Sequence, residues 1–177
     1  MKLTSILLMM SFLLLQEMEL YDFKKDDNLS RWVVVDDSVM GGRSLGHLEI
    51  NGDGNALYYG NVSLENNGGF SSLRYQFDRK KVDSFKTAYI RLKGDGKRYQ
   101  FRVKSDQNDY QSYIYYFNTT GEWETIEIPL HQMKPSFRGR ALDIPDYEGE
   151  VMEELAFLIA NYKAESFRLE IDKIYLK

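Results

Sequence analysis

Cysteine is absent from this 177-residue chain. Its absence removes disulfides, cysteine nucleophiles, zinc–thiolate centres and iron–sulfur ligation together. It also removes a lipid-modified cysteine after a signal segment, but it leaves the compartment open. Proline is scarce, with 3 residues, which argues against Pro-rich linkers and disordered tails. There are 2 histidines, His47 and His131, and neither has a metalloprotease or nucleophile-elbow sequence around it. Positive charge is thin: 23 Lys and Arg against 27 Asp and Glu give a net charge of −4. The longest basic run, Arg79–Lys81, is too short to neutralise a phosphate backbone, so nucleic acid is not expected as a partner.

One hydrophobic run exists, Leu3 to Leu15 after Lys2. It is too short for a spanning helix of about 20 residues and has the length of a secretory signal core. The "QEMEL" that follows lacks a small-x-small cleavage site. Residues 1–18 are therefore read as a hydrophobic leader, either a signal peptide, an uncleaved anchor or a packed N-terminal helix, and 19–177 as one domain. Membrane contact is expected only through that leader. The compartment follows from it: secreted or anchored if it is a signal, cytoplasmic otherwise. N-x-[ST] matches at Asn28, Asn61 and Asn118 matter only if the chain is secreted and glycosylated.

Beyond residue 20 the pattern has period two. Tyr99, Phe101 and Val103 alternate with polar residues, as do Ile126, Ile128 and Leu130, and Phe167, Leu169 and Ile171. Such alternation marks half-solvated strands. In the last of them the apolar set resumes at Ile174 and Leu176, which predicts a β-bulge at Asp172–Lys173. Gly, Asn and Asp clusters punctuate the strands at 51–55, 65–69, 93–97, 105–109 and 118–122. Together they predict an all-β sandwich or barrel. Residues 150–163 fit helical and strand spacing alike, and are read as a short turn at 150–154 followed by a strand.

Catalytic templates fail in turn. "GGRSLGH" (41–47) has phosphate-loop glycine spacing but His47 where lysine is needed, and "GDGK" (94–97) lacks the rest of the motif. "NGDGNA" (51–56) carries Ala56 where a calcium loop requires glycine. Carboxylates that could act in pairs, Asp36 with Asp37 and Glu65 or Asp95, have no fixed spacing in sequence. No enzyme activity, cofactor or metal is expected.

Four stretches stand apart. "DDSVMGGRS" joins Asp36, Asp37, Met40, Gly41, Gly42, Arg43 and Ser44. "ENNGGFSSLR" joins Glu65, Asn66, Asn67, Gly68, Gly69, Phe70 and Arg74. "RLKGDGKRYQFRV" reads as two strands in a hairpin around Gly94, Asp95 and Gly96. "PSFRGR" sets Phe137 beside Arg138, Gly139 and Arg140. Arginine forks bind carboxylates, so Asp36 or Asp37 is expected either to face Arg74 or Arg138 and tie two loops together, or to face outward to an external ligand or partner. Gly41 and Gly42 are expected to turn the chain, with Val39 and Met40 anchoring the turn in the core.

In this order the four stretches resemble the complex I intermediate-associated protein 30 family, and "FRLEIDKI" (167–174) looks like the strand that closes that family's domain. The resemblance runs from about residue 20 to 177. It implies a galactose-binding-like jelly roll of two antiparallel sheets, kinship with carbohydrate-binding modules, and a non-enzymatic assembly-factor or chaperone role. Subunits of a membrane complex are the partners it implies. The alternative is a sugar-binding module. For that reading "YQSYIYYF" (110–117) supplies Tyr113 and Tyr115 on one face of a strand and Ile114 and Tyr116 on the other.

Overall fold

The computed structural model describes residues 16–177, so residues 1–15 of the leader lie outside the described residues. Two antiparallel sheets pack face to face. The first contains β3 (Leu45–Ile50), β4 (Ala56–Val62), β13 (Glu165–Leu176), β6 (Thr87–Lys93) and β9 (Trp123–Pro129), in that order. β1 (Met18–Asp22) also pairs with β13, over the half that β4 leaves free. The second sheet runs β11 (Arg140–Ala141), β10 (Lys134–Phe137), β8 (Ser112–Asn118), β7 (Arg98–Lys104), β12 (Val151–Ile159), β5 (Ser71–Lys81) and β2 (Trp32–Asp36).

The alternating residues form the core. Tyr99, Phe101, Val103, Ile128, Phe167, Leu169 and Ile171 are buried, as are Ile174 and Leu176 beyond the irregularity. The pairing of β13 with β6 shifts register between Ile171 and Lys173, at the expected bulge. The shift returns the apolar set to the inner face, where a regular strand would turn it outward. At one end Trp32 stacks on Tyr75 at 4.6 Å, with Tyr21 edge-on to both.

Two sequence expectations give way here. Residues 150–154 do not form a turn: β12 starts at Val151. Its pairing with β5 slips between Met152 and Glu154, with the surplus residues on β5, and β12 is buried on both faces from Glu154 to Ile159, so its sequence shows no clean alternation. Nor is the Gly94–Asp95–Gly96 segment a hairpin. β6 belongs to the first sheet and β7 to the second, so the loop arches across the sandwich. Asp95 supports the arch by accepting from Lys97 Nζ at 2.8 Å, Tyr99 Oη at 2.9 Å and the Arg168 amide at 3.0 Å.

Candidate functional site

The Asp36–Ser44 stretch folds around one carboxylate. A single 3₁₀ turn, Asp37–Met40, is capped by Gly41 at φ 89°, a left-handed conformation that glycine adopts without strain. Asp37 is fully buried. It accepts from the Ser44 amide at 2.9 Å, the Gly69 amide at 2.6 Å, the Phe70 amide at 3.2 Å and the Ser44 hydroxyl. Ser44 Oγ in turn accepts from the Ser63 amide at 2.9 Å. The carboxylate thus joins residues 36–44 to 63–70. A Cβ on Gly42 or Gly68 would fall 2.2 or 2.6 Å from the Asp37 oxygens, which explains why both neighbours lack one.

Asp36 makes the second tie. It accepts from the Gly46 amide at 2.9 Å and from the Ser71 hydroxyl. Ser71 Oγ accepts from the Tyr58 hydroxyl at 2.7 Å. At the surface Arg43 pairs with Glu65 at 2.9 Å, and Asn66 Nδ2 donates to the Gly41 carbonyl at 3.1 Å. Asn66 and Asn67 both take positive φ, 56° and 60°.

Neither aspartate meets an arginine. Arg74 lies on the outer face of the second sheet, opposite Ala156. Arg138 and Gly139, at φ 49° and 75°, form the tight turn between β10 and β11. Arg138 lies over the Phe137 ring at 5.2 Å, and Phe137 meets Tyr110 edge-on at 5.4 Å. The aspartates are satisfied by main-chain N–H groups and hydroxyls instead. The core placement of Val39 and Met40 is also overturned: they are 71% and 54% exposed. The turn closes around Asp37, so the carboxylate takes the interior position and the apolar pair points out. Leu45 and Leu64, on the same two segments, are exposed as well. Their exposure was readable for Leu45, which is out of phase with the inward-leaning Leu48 and Ile50 of its strand.

His47 stacks on Tyr59 at 5.2 Å and has no acid–base partner among the hydrogen bonds described. Among the described residues no group of three or more His, Asp or Glu is placed to hold a metal. Two shallow clefts flank β5, and their charges are internally matched, Arg31 with Asp78 and Arg79 with Glu153.

Burial raises the pKa of Asp37, but the bonds from Ser44, Gly69 and Phe70 outweigh it and hold the group below its ordinary value. A depressed folded value adds stability above the unfolded carboxylate pKa of about 4 and loses it as pH falls further. Urea midpoints are therefore expected to drop below about pH 4, and to drop less steeply in Asp37→Asn. Parallel pH profiles for the two chains would remove Asp37 from the acid response.

The complex I intermediate-associated protein 30 family model matches residues 21–171. The chain belongs to the complex I intermediate-associated protein 30 family. A mouse protein named complex I intermediate-associated protein 30, mitochondrial, is 28% identical over 180 residues, covering 87% of this chain and 54% of that one. The Drosophila melanogaster protein of the same name is 27% identical over 188 residues, covering 89% and 62%. The chain thus spans only about half to three-fifths of the length of these complex I intermediate-associated protein 30 relatives. Among solved structures, the family 11 carbohydrate-binding module from Clostridium thermocellum, in complex with a mixed-linked tetrasaccharide, superposes with a TM-score of 0.64 at 18% identity. That match covers 90% of this chain and 94% of the module. The fold is the galactose-binding-like jelly roll.

Proposed function

We propose that this chain is a non-enzymatic protein-interaction module of assembly-factor type, and that it engages subunits of a membrane complex. The observation that carries the reading is the corner built on Asp37. Its polar groups are consumed internally, while Val39 and Met40 stand in water on a turn fixed by four hydrogen bonds. Exposed apolar side chains on a rigid support bind at low entropic cost, because ordering is complete before contact. Family membership supports the reading, since the relatives carry the name of an intermediate of complex I. A chaperone role toward incompletely assembled subunits fits the same corner.

The sugar-binding alternative loses the residues that suggested it. Tyr113 and Tyr115 pack against the core, and the exposed Tyr116 ring is covered by the Arg98 guanidinium at 4.8 Å. Of that row only Tyr116 keeps a half-exposed ring, and it stands beside a cation rather than in a row of aromatics.

The test is affinity purification of the full chain from its native host, with identification of the captured subunits. Val39→Asp combined with Met40→Asp is expected to reduce recovery of membrane-complex subunits at least tenfold. Its unfolding midpoint should match the parent's, since neither side chain is in the core. Undiminished recovery with the double variant, or no such subunit with the parent chain, would refute the reading.

A further inference from the structure

The outer face of the second sheet carries a charge excess that the net charge of −4 conceals. Across β5, β12 and β7 one register row reads Arg74–Ala156–Arg102. Arg98 and Lys104 lie on the same face of β7, two residues to either side of Gln100 and Arg102. Against these four cations the central rows offer one carboxylate, Glu154, which is buried and takes a bond from Gln76 Nε2 at 2.8 Å. Among the described residues none of the four cations has a carboxylate within 4.0 Å, although cations elsewhere on the surface do. Lys104 Nζ is occupied by the carbonyls of Gln107 and Asp109.

Arg102 is the most constrained member. Its Nε and Nη2 donate to the same Gln100 oxygen at 2.9 and 2.7 Å, which fixes the plane of the guanidinium without neutralising it. Burial, and then the charge of Arg74, push its pKa down to about 10. Sheet geometry puts the two arginine Cα atoms about 10 Å apart across β12. The residue between them is Ala156, which is buried and adds neither charge nor polar side-chain atom to the row. Glu154, on the same face, offsets this only in part, and two like charges held near each other and desolvated gain from an arriving anion.

We infer that Arg74 and Arg102 form a seat for a carboxylate, filled by an acidic side chain of a protein partner lying across the second sheet. Forked arginines bind carboxylates bidentately. The surroundings favour a polypeptide over an acidic sugar. Val33 and Tyr116 are half exposed beside the row, and Arg with Tyr is the composition of protein hot spots. The inference rests on the protein-interaction reading and adds the partner's chemistry and a second point of contact.

The probe is a hexaglutamate peptide titrated into the full chain at low salt and followed by amide shifts in NMR, with trigalacturonate and inorganic phosphate as separate arms. Peptide binding is expected, with the largest shifts in β5 and β7. Arg74→Gln should weaken it at least tenfold, Arg74→Lys less, and Lys86→Gln, which removes an unpaired surface charge elsewhere, less than twofold. Equal losses in Arg74→Gln and Lys86→Gln, or no binding at millimolar peptide, would overturn the seat. Trigalacturonate or phosphate binding as tightly as the peptide would overturn its occupant. Loss of peptide binding with intact corner-dependent capture rejects the seat alone. Intact peptide binding with capture indifferent to Val39 and Met40 rejects the corner alone.

Discussion

Asp37→Ala is expected to lower the unfolding free energy by about 4 kcal/mol, read from urea midpoints at neutral pH. Removing the carboxylate strands the amides of Ser44, Gly69 and Phe70 in a buried site, together with the Ser44 hydroxyl. A buried donor without an acceptor costs about 1–3 kcal/mol, and partial relaxation of the two segments keeps the total near the lower end of the sum. Asp37→Asn retains one carbonyl oxygen and should fall between the two chains. Ser44→Ala should cost less, because the Asp37 carboxylate keeps its three backbone donors. If Asp37→Ala and Ser44→Ala are equally stable, the carboxylate is not what joins the two segments.

Gly60→Ala is expected to cost about 3 kcal/mol or more, in the range of overpacking into a site that cannot relax. A Cβ at position 60 would lie 2.0 Å from the Leu45 carbonyl oxygen and 2.9 Å from the Gly46 Cα. Both are backbone atoms of β3, so no side chain can rotate away. Gly60 stands opposite Gly46 in the β3–β4 pairing, and a Cβ on Gly46 would meet Ser71 Oγ at 2.4 Å and Val34 Cγ1 at 2.9 Å. Here the edge of the first sheet presses onto β2 and β5 of the second. Gly52→Ala is the matched control, since a Cβ there has open space, and a change within about 0.5 kcal/mol is expected. Equal stability of the two alanine variants would refute the close approach.

The strands that could be read from sequence are those with one wet face. In β7, β9 and β13 the buried set alternates with polar neighbours, and the pattern follows directly from the pleat. β12 resisted because it is central. Leu155 and Phe157 face the core, while Ala156 and Leu158 on the other face are also covered, so no alternation remains. The arch at Gly94–Gly96 resisted for a different reason. A turn between strands has the same residues whether the strands pair or part, and the Asp95–Arg168 contact spans 73 positions.

The four motifs were visible as unusual, but their roles were not. The sequence suggests arginine partners for Asp36 and Asp37 because arginine is a marked residue. The actual donors are main-chain amides, which every residue but proline carries and no sequence can mark. Gly42 and Gly68 held the readable clue, for both make room for the Asp37 carboxylate, about 5 and about 31 positions away along the chain. The outer-face arginine Arg102 went unnoticed because it looked like the solvated half of an alternating strand. Only the pairing of β12 with both β5 and β7 brings it into line with Arg74.

The pairing of β1 with β13 has a mechanical consequence. Met18 stands opposite Leu176, so both ends of the domain lie side by side at one pole of the sandwich. The Asp37 corner is at the other pole, where Ser44 bonds to Ser63 beside the Val62–Glu165 pair that opens β13. From Glu165 to Leu176 the strand extends about 36 Å at the usual rise per residue. Anything tethered to either end therefore holds the domain by its base, and Val39 and Met40 are carried at the tip, a full strand length outboard of the attachment.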